Sequence, residues 1–329
     1  MKKRHIRALA PIVGVMLVLA ACGGDDAGDG DSEGGSLRVA IVAPSAANDL
    51  AFTQSIVDAV DALEGVDPEV AISENMFVVE DAATTIRGYA EDGYQLVIAH
   101  GSQYGALLAE IAPDFPETAF AWGTAADTFG LENVSAYEAA SDEGGYVMGV
   151  MAAALSGSAN IGIVGPIEVG DAKLYVDGFT NGVMAENPAA TATANYIQSF
   201  SDVALASEAA EAFVSGGADV LTGTAQMTVG AIGVADENGV AWFGTQSNQT
   251  SVAPDVVVAS QVYHWEVVLQ GLVDSILDGD LGGEIYAINL ANEGLVIEYN
   301  DGYDLPDDIK SKGEDAASAI ADGSLETGA

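Results

Sequence analysis

The sequence predicts an α/β protein with two doubly wound parallel-sheet lobes and a ligand cleft between them. Short β-rich runs alternate with helical patterns along the chain, which is typical of parallel sheets built from βαβ units. Several runs are apolar throughout, such as VAIVA at 39–43 and QLVIA at 95–99, as expected for strands covered on both faces. The twelve candidate strands exceed what one open sheet of this kind holds, so two lobes are favoured.

The candidate strands fall at regular intervals from residue 38 to residue 299. They are Arg38–Ala43, Met76–Glu80, Gln95–His100, Ala119–Trp122, Asn133–Ala139, Asn160–Gly165, Thr191–Ile197, Ala218–Gly223, Val240–Gly244, Val256–Tyr263, Ile285–Asn289 and Leu295–Tyr299. The runs AFAWG at 119–123 and VAWFG at 240–244 place a tryptophan and a glycine in corresponding strands. The two halves of the chain are therefore predicted to be related lobes.

Helical patterns separate these strands. Apolar residues at 56, 57, 60 and 63 of the first segment, and at 268, 269, 272, 273 and 276 of another, each form one buried stripe. These stripes predict helices over Gln54–Leu63 and Glu266–Leu277. The runs EDGY at 91–94 and SGGA at 215–218 predict two further helix ends, because glycine commonly stops a helix.

The first 21 residues are predicted to be a lipoprotein signal peptide. Basic residues precede an apolar run, 8–21, that is shorter than the roughly 20 residues a membrane-spanning helix needs. The run ends in LAAC at 19–22, which resembles a bacterial lipobox, and Cys22 is the only cysteine in the chain. We therefore expect a lipid on Cys22 that anchors the protein at the extracytoplasmic face of the cell membrane. The alternative is an ordinary secretory signal with an incidental cysteine.

The remaining chain divides into a linker, two lobes and a tail. Residues 22–36, rich in glycine and aspartate, are predicted to be a flexible acidic linker. Residues 37–137 with about 264–283 are assigned to lobe 1, and 138–263 with about 284–310 to lobe 2. Residues 311–329 are assigned to a C-terminal tail.

The charge balance is strongly acidic and excludes some partners. The chain has 9 basic and 50 acidic residues; without the four basic residues of the signal, five remain against 50, a net charge of −45. Such a surface repels phosphate backbones, so a nucleic-acid partner is not expected. The hydrophobic fraction of 49% is enough for two folded cores.

The sequence lacks the common catalytic and cofactor motifs. The first strand is followed by PSAANDLAF without a phosphate-binding glycine, and there is no Gly-Lys-Ser/Thr, Gly-x-Ser-x-Gly or His-Glu-x-x-His motif. Beyond the signal, His100 and His264 are the only histidines, too few for a zinc site without carboxylates. We predict no cofactor, no metal and no catalytic residue. An extracytoplasmic hydrolase or nucleosidase that uses carboxylates such as Asp49 and Asp202 is the alternative from the enzyme class.

Aromatic, amide and carboxylate side chains follow the predicted strands. Each alone is explained by packing or by a turn, but together they suit a planar, uncharged, hydrogen-bonding ligand such as a nucleobase. The predicted ligand-binding residues are Asn48, Asp49, Phe52, Gln103, Tyr104, Trp122, Phe200, Asp202, Gln226, Gln246, Asn248 and Trp265.

Several segments, in order and spacing, resemble the basic membrane protein family of substrate-binding lipoproteins, which includes purine nucleoside receptors of bacterial ABC transporters. The resemblance runs from about Arg38 to Tyr299. Its segments are Asn48-Asp49-x-x-Phe52-x-Gln54, NVSAYEAASDEGGYVMGVMAA at 133–153, NIGIVG at 160–165, DGF at 177–179, YIQSFSD at 196–202, GGADVL at 216–221 and VAWFGTQSNQ at 240–249.

The resemblance implies a type I periplasmic-binding fold, a purine-type ligand between the lobes, and delivery to ABC permease subunits. It implies that Phe52 and Phe200 stack on the ligand and that Asn48 and Asp49 hydrogen-bond to it.

The chain departs from nucleoside-binding members at two places. Gln246 replaces an Asp of the family, and the segment 263–265 lacks the family's Lys. Those charged groups hold the ribose, so a free base is favoured, with a nucleoside still open. A surface sensor that serves no transporter is a further alternative.

Overall fold

The computed structural model describes residues 37–329, which form one compact unit. The predicted signal peptide, Cys22 and the acidic linker lie outside the described residues. Within residues 37–329, no helix has the length and apolar character needed to cross a membrane.

The described residues contain twelve strands in two six-stranded sheets. In chain order they are β1 (Arg38–Val42), β2 (Glu69–Ser73), β3 (Leu96–His100), β4 (Ala119–Gly123), β5 (Val134–Ala139), β6 (Asn160–Gly165), β7 (Thr191–Tyr196), β8 (Val220–Gly223), β9 (Ala241–Gln246), β10 (Val257–Tyr263), β11 (Ile285–Ile288) and β12 (Leu295–Tyr299). The sheet of lobe 1 has the order β11-β5-β4-β3-β1-β2, and the sheet of lobe 2 has the order β12-β10-β9-β8-β6-β7.

The two lobes share one topology. Read from the β2 or β7 edge, each lobe follows the doubly wound order 2-1-3-4-5, and only β12 pairs antiparallel with its neighbour. The order reverses between β1 and β3 in lobe 1 and between β6 and β8 in lobe 2. The predicted pair of related, doubly wound lobes is confirmed, and these switch points are where such sheets bind ligands.

Helices cover both sheets. In the described residues they are α1 (Phe52–Asp61), α2 (Val79–Glu91), α3 (Gly105–Ile111), α4 (Ser141–Leu155), α5 (Gly170–Glu186), α6 (Val203–Ser215), α7 (Thr228–Asn238), α8 (Glu266–Asp278) and α9 (Asp307–Ala321). The predicted stripes are buried, with Ile56 and Val60 on α1 and Val268 and Leu272 on α8.

Alternating residues of the central strands pack into different cores. Val39 and Ile41 of β1 join a core that contains α1 and α8, whereas Ala40 and Val42 join the core under α2 and α3. In lobe 2, Ile163 of β6 faces α4 and α5, and Val164 faces α6 and α7. The apolar runs are therefore strands buried on both faces, as predicted.

Three sequence assignments differ from the structure. The second strand is Glu69–Ser73, whereas the predicted strand at Met76–Glu80 is a loop that enters α2 at Val79. Phe77 and Val78 of that loop are exposed, and no neighbouring strand pairs with it. An apolar run without a pairing partner cannot satisfy its backbone groups as a strand.

The other two differences concern lobe membership near the C-terminus. β11, assigned to lobe 2 by the sequence analysis, pairs in parallel with β5 in the sheet of lobe 1. The assigned tail contains most of α9, whose Ile309, Ala316 and Ile320 pack into the core beneath α4. Short segments of this kind carry no sequence signal for the lobe they join, because both lobes have equivalent edges.

Candidate functional site

A cleft lies between the lobes at the carboxyl ends of the parallel strands. It encloses about 490 Å³ of space not filled by atoms, including solvent at its mouth. Lobe 1 contributes Pro44, Phe52, Phe77, Gly101, Ser102, Gln103 and Thr124, and lobe 2 contributes Val169, Gly170, Asp171, Ala172, Phe200, Ala225, Gln226 and Gln246. Most of these residues follow β1, β3, β6 and β8, the strands at the two switch points.

Phe52 is fixed in the wall of lobe 1 by the start of α1. The carboxylate of Asp49 accepts hydrogen bonds from the backbone N–H groups of Ala51, Thr53 and Gln54 at 3.0–3.1 Å. These bonds satisfy donors that the first turn of a helix leaves free. Asp49 therefore caps α1 and sets the position of Phe52.

His100 supports the Phe52 ring from beneath. The two rings are stacked, with centroids 4.1 Å apart and planes inclined by 23°. His100 Nε2 lies 3.1 Å from the Phe52 carbonyl oxygen, and Nδ1 lies 2.7 Å from the Tyr137 hydroxyl oxygen. A carbonyl can only accept, so Nε2 donates to Phe52 and Nδ1 accepts from Tyr137.

His100 stays neutral because its burial lowers its pKa to about 3, an effect that its hydrogen bond with Phe52 only partly offsets. Phe52 therefore has an uncharged, hydrogen-bonded ring against one face.

The wall of lobe 2 is built from strand ends with unusual backbone conformations. Ala225 after β8 and Gln246 at the end of β9 have φ angles of 75° and 71°, in the left-handed region that non-glycine residues rarely adopt. Phe200 is tied to the same wall, because its carbonyl accepts the Met227 N–H at 3.1 Å. Strained backbone of this kind concentrates at functional sites.

Asp171 is the ionisable residue of the cleft lining. It lies in the first turn of α5, and its backbone carbonyl accepts the Ser141 hydroxyl at 2.6 Å. The residue as a whole is half-buried, but Oδ2 is buried and has no hydrogen-bond partner. Burial raises the pKa of this carboxyl to about 6; its own N–H and that of Ala172 lower it, and Glu138 raises it.

Five of the predicted ligand-binding residues line the cleft together: Phe52, Gln103, Phe200, Gln226 and Gln246. The aromatic and amide side chains among them come from both lobes.

The other predicted residues lie outside the cleft lining. Tyr104 and Trp265 are fully buried in the cores of lobe 1, where Tyr104 donates to the Met76 carbonyl and Trp265 donates to Ser55 Oγ. Trp122 donates from Nε1 to the Gly101 carbonyl at 3.1 Å and so supports a cleft residue from behind.

Four polar residues complete this group. Asp202 caps α6 through the Leu205 N–H, as Asp49 caps α1. Asn48 is exposed, and Asn248 donates to Glu298 away from the cleft. Sequence position after a strand does not distinguish a helix cap from a ligand contact, because both use the same polar side chains at the same place.

The cleft lining also contains Asp171, Phe77 and Thr124, which were not among the predicted ligand-binding residues. Thr124 directly follows β4, and Asp171 lies six positions after the last residue of β6, so the strand-end rule could have found both. Phe77 was hidden by the strand wrongly assigned to its segment.

Comparisons with known proteins agree with this architecture. A purine-binding protein of Brucella abortus is 29% identical over 257 residues, which cover 78% of this chain and 72% of that protein. A solved structure described as an ABC transporter solute-binding protein from Conexibacter woesei has a TM-score of 0.74 at 24% identity, covering 88% of this chain and 98% of that one. A solute-binding protein from Aeropyrum pernix has a TM-score of 0.78 at 19% identity, covering 88% and 92%.

The two structural similarities establish the periplasmic-binding type of fold. The match to the family model described as "ABC transporter substrate-binding protein PnrA-like" extends over residues 36–322, nearly all of the chain outside the predicted signal and linker. This match confirms the family expected from the sequence segments. The chain therefore belongs to the PnrA-like family of ABC transporter substrate-binding proteins.

Proposed function

We propose that this protein captures a purine-type ligand, a free base in preference to a nucleoside, between its two lobes and delivers it to an ABC permease. The observation that carries the proposal is the Phe52 ring, which lines the cleft and is stacked on the neutral His100. A base stacked on an aromatic ring contributes on the order of 1–3 kcal/mol to binding. The purine-binding relative supports the same ligand class.

The amide side chains supply the polar part of recognition. Gln103 of lobe 1 and Gln226 and Gln246 of lobe 2 line the cleft. An amide offers both a donor and an acceptor, which matches the mixed edge of a nucleobase. Because the two lobes each provide part of the lining, ligand binding is expected to favour the conformation in which both lobes touch it.

A free base is favoured over a nucleoside because the lining lacks a ribose-holding charge pair. Gln246 lines the cleft at the position where the family resemblance implies an Asp in nucleoside-binding members, and no lysine or arginine lines the cleft in the described residues. His264 and Trp265, in the segment expected to carry the lysine, also lie outside the lining.

The lipid anchor on Cys22 belongs to the same proposal. A substrate-binding protein held at the extracytoplasmic face of the membrane stays close to its permease. Binding is favoured over hydrolysis, because Asp49 and Asp202, the carboxylates considered for hydrolysis, accept backbone N–H groups at the starts of α1 and α6.

Isothermal titration of the purified protein against adenine, hypoxanthine, adenosine, inosine and glucose tests this proposal. We expect saturable binding of at least one purine base, weaker binding of its nucleoside, and no heat from glucose. Binding of glucose but of no purine would contradict the ligand class, and tighter binding of nucleosides would contradict the preference for a base.

A further inference from the structure

Two hydrogen-bond acceptors in the lobe 2 wall of the cleft have no partner. They are Asp171 Oδ2 and Gln246 Oε1, both buried atoms of cleft-lining residues. A third buried oxygen without a partner among the described residues, Gln261 Oε1, belongs to a residue outside the lining. Leaving a buried polar atom unpaired is unfavourable, and more so for a charged group, so each such atom calls for an explanation.

The backbone at both residues is held in place by its surroundings. Gln246 is only 4% exposed, and its left-handed backbone, with φ of 71°, ends β9 in register with Val262 of β10. The backbone of Asp171 is held by the Ser141 hydroxyl, which donates to its carbonyl oxygen, and by its position in the first turn of α5, which packs against α4. That packing is close: a Cβ placed on Gly149 of α4 would lie 2.1 Å from the Phe179 carbonyl oxygen of α5. The backbone that carries each acceptor is therefore fixed, and neither acceptor has a partner within the described part of the protein.

The charge of the lining restricts what can pair with them. Among the residues that line the cleft, Asp171 is the acidic one and none is basic. An anionic ligand would meet the carboxylate without a compensating cation, which is unfavourable in a desolvated site. A neutral ligand with N–H groups pairs with both acceptors at no such cost.

We infer that the lobe 2 wall reads the donor edge of an amino-substituted purine, whose N–H groups donate to Asp171 Oδ2 and Gln246 Oε1. Asp171 and Gln246 are then specificity-determining residues that select amino-substituted bases over bases with an oxygen or hydrogen at the same ring position. The inference rests on the proposed function and names the ligand class for the same cleft.

Matched pairs of bases test the inference by isothermal titration with the purified protein. Adenine is compared with hypoxanthine, and 2-aminopurine with unsubstituted purine. We expect the amino-substituted member of at least one pair to bind about tenfold or more tightly, because a lost hydrogen bond to a charged group has roughly that effect. Ratios near one for both pairs would overturn the inference and leave the proposed function standing.

The variant Asp171→Asn tests the contribution of the carboxylate alone, because the rest of the site is unchanged. We expect it to reduce the amino preference at least about threefold, because a neutral acceptor forms a weaker hydrogen bond than a carboxylate. The control is Asp177→Asn, the same change on the same helix at a residue outside the lining, where Asp177 pairs with Lys173. An unchanged ratio in a folded Asp171→Asn protein would overturn the role of Asp171.

The wild-type ratios decide the question even if the variant does not fold. If neither pair of bases binds to the wild-type protein at millimolar concentration, the proposed function itself fails, and the inference fails with it.

Discussion

Replacing Phe52 with alanine tests whether its ring stacks on the ligand or only packs in the hydrophobic core. Phe52 is half-buried, lines the cleft and stacks on His100 at 4.1 Å. The hydrogen bond between His100 and residue 52 uses the backbone carbonyl, so it survives the substitution. The Phe52→Ala change therefore removes the ring and leaves the start of α1 capped by Asp49.

The size of the expected effect follows from what the ring contacts. Losing a base–aromatic stack costs about 1–3 kcal/mol of binding free energy, which corresponds to a Kd about 5- to 140-fold higher. A fully buried phenylalanine loses roughly 3–5 kcal/mol of stability on truncation to alanine. Since Phe52 is only half-buried, we expect its loss of stability to fall well below that range.

Titration with adenine and thermal unfolding of the same samples measure the two effects. The control is Phe120→Ala, because Phe120 is fully buried in β4 and lies outside the cleft lining. We expect Phe52→Ala to change Kd strongly with a small fall in Tm, and Phe120→Ala to do the reverse. If Phe52→Ala lowers Tm as much as Phe120→Ala and the folded fraction binds adenine normally, the stacking role of Phe52 is wrong.

Three further predictions concern pH and anchoring. The folded protein keeps His100 neutral to about pH 3, whereas the unfolded chain protonates it near pH 6.5. The free energy of unfolding therefore falls as pH drops through this window, by up to about 1.4 kcal/mol per pH unit. Urea unfolding should show this loss relative to His100→Gln, and parallel pH profiles would contradict it. Adenine affinity should fall about tenfold per pH unit below the Asp171 pKa of about 6, because the N–H donors of the base favour the ionised carboxylate. The charged or titratable neighbours of Asp171 are Glu138 and Tyr263. A pH-independent Kd would contradict this prediction. Finally, Cys22→Ser expressed from the full chain should move from the detergent phase to the aqueous phase in detergent partitioning, and unchanged partitioning would refute lipidation.

The lobes were predictable because their strands are buried on both faces. A continuous apolar run such as that of β3, with a helix-ending glycine before it, has few other interpretations. A tryptophan and a glycine in each of the corresponding strands β4 and β9 indicated the relation between the two halves. The lobe to which a strand at a sheet edge belongs was less predictable. Whether β11 joins lobe 1 or lobe 2 depends on which open sheet edge it meets, and that information lies in the tertiary structure.

The site was predictable to the level of strand ends and no further. Polar residues after parallel strands gather at one edge of the sheet, and Gln103, Gln226 and Gln246 lie in the cleft lining at that edge. Asp49 follows the same rule, yet its carboxylate is used by the backbone of α1. The competition between capping and ligand binding depends on hydrogen-bond geometry within a single turn, which residue order does not specify.

A crystal structure of the protein grown with saturating adenine tests the central claim most directly. We expect the base between the lobes, with its plane parallel to the Phe52 ring and its N–H groups within hydrogen-bond distance of Asp171 and Gln246. A base bound elsewhere, or an empty cleft at a concentration where titration shows saturation, would contradict the claim that this cleft is the purine site.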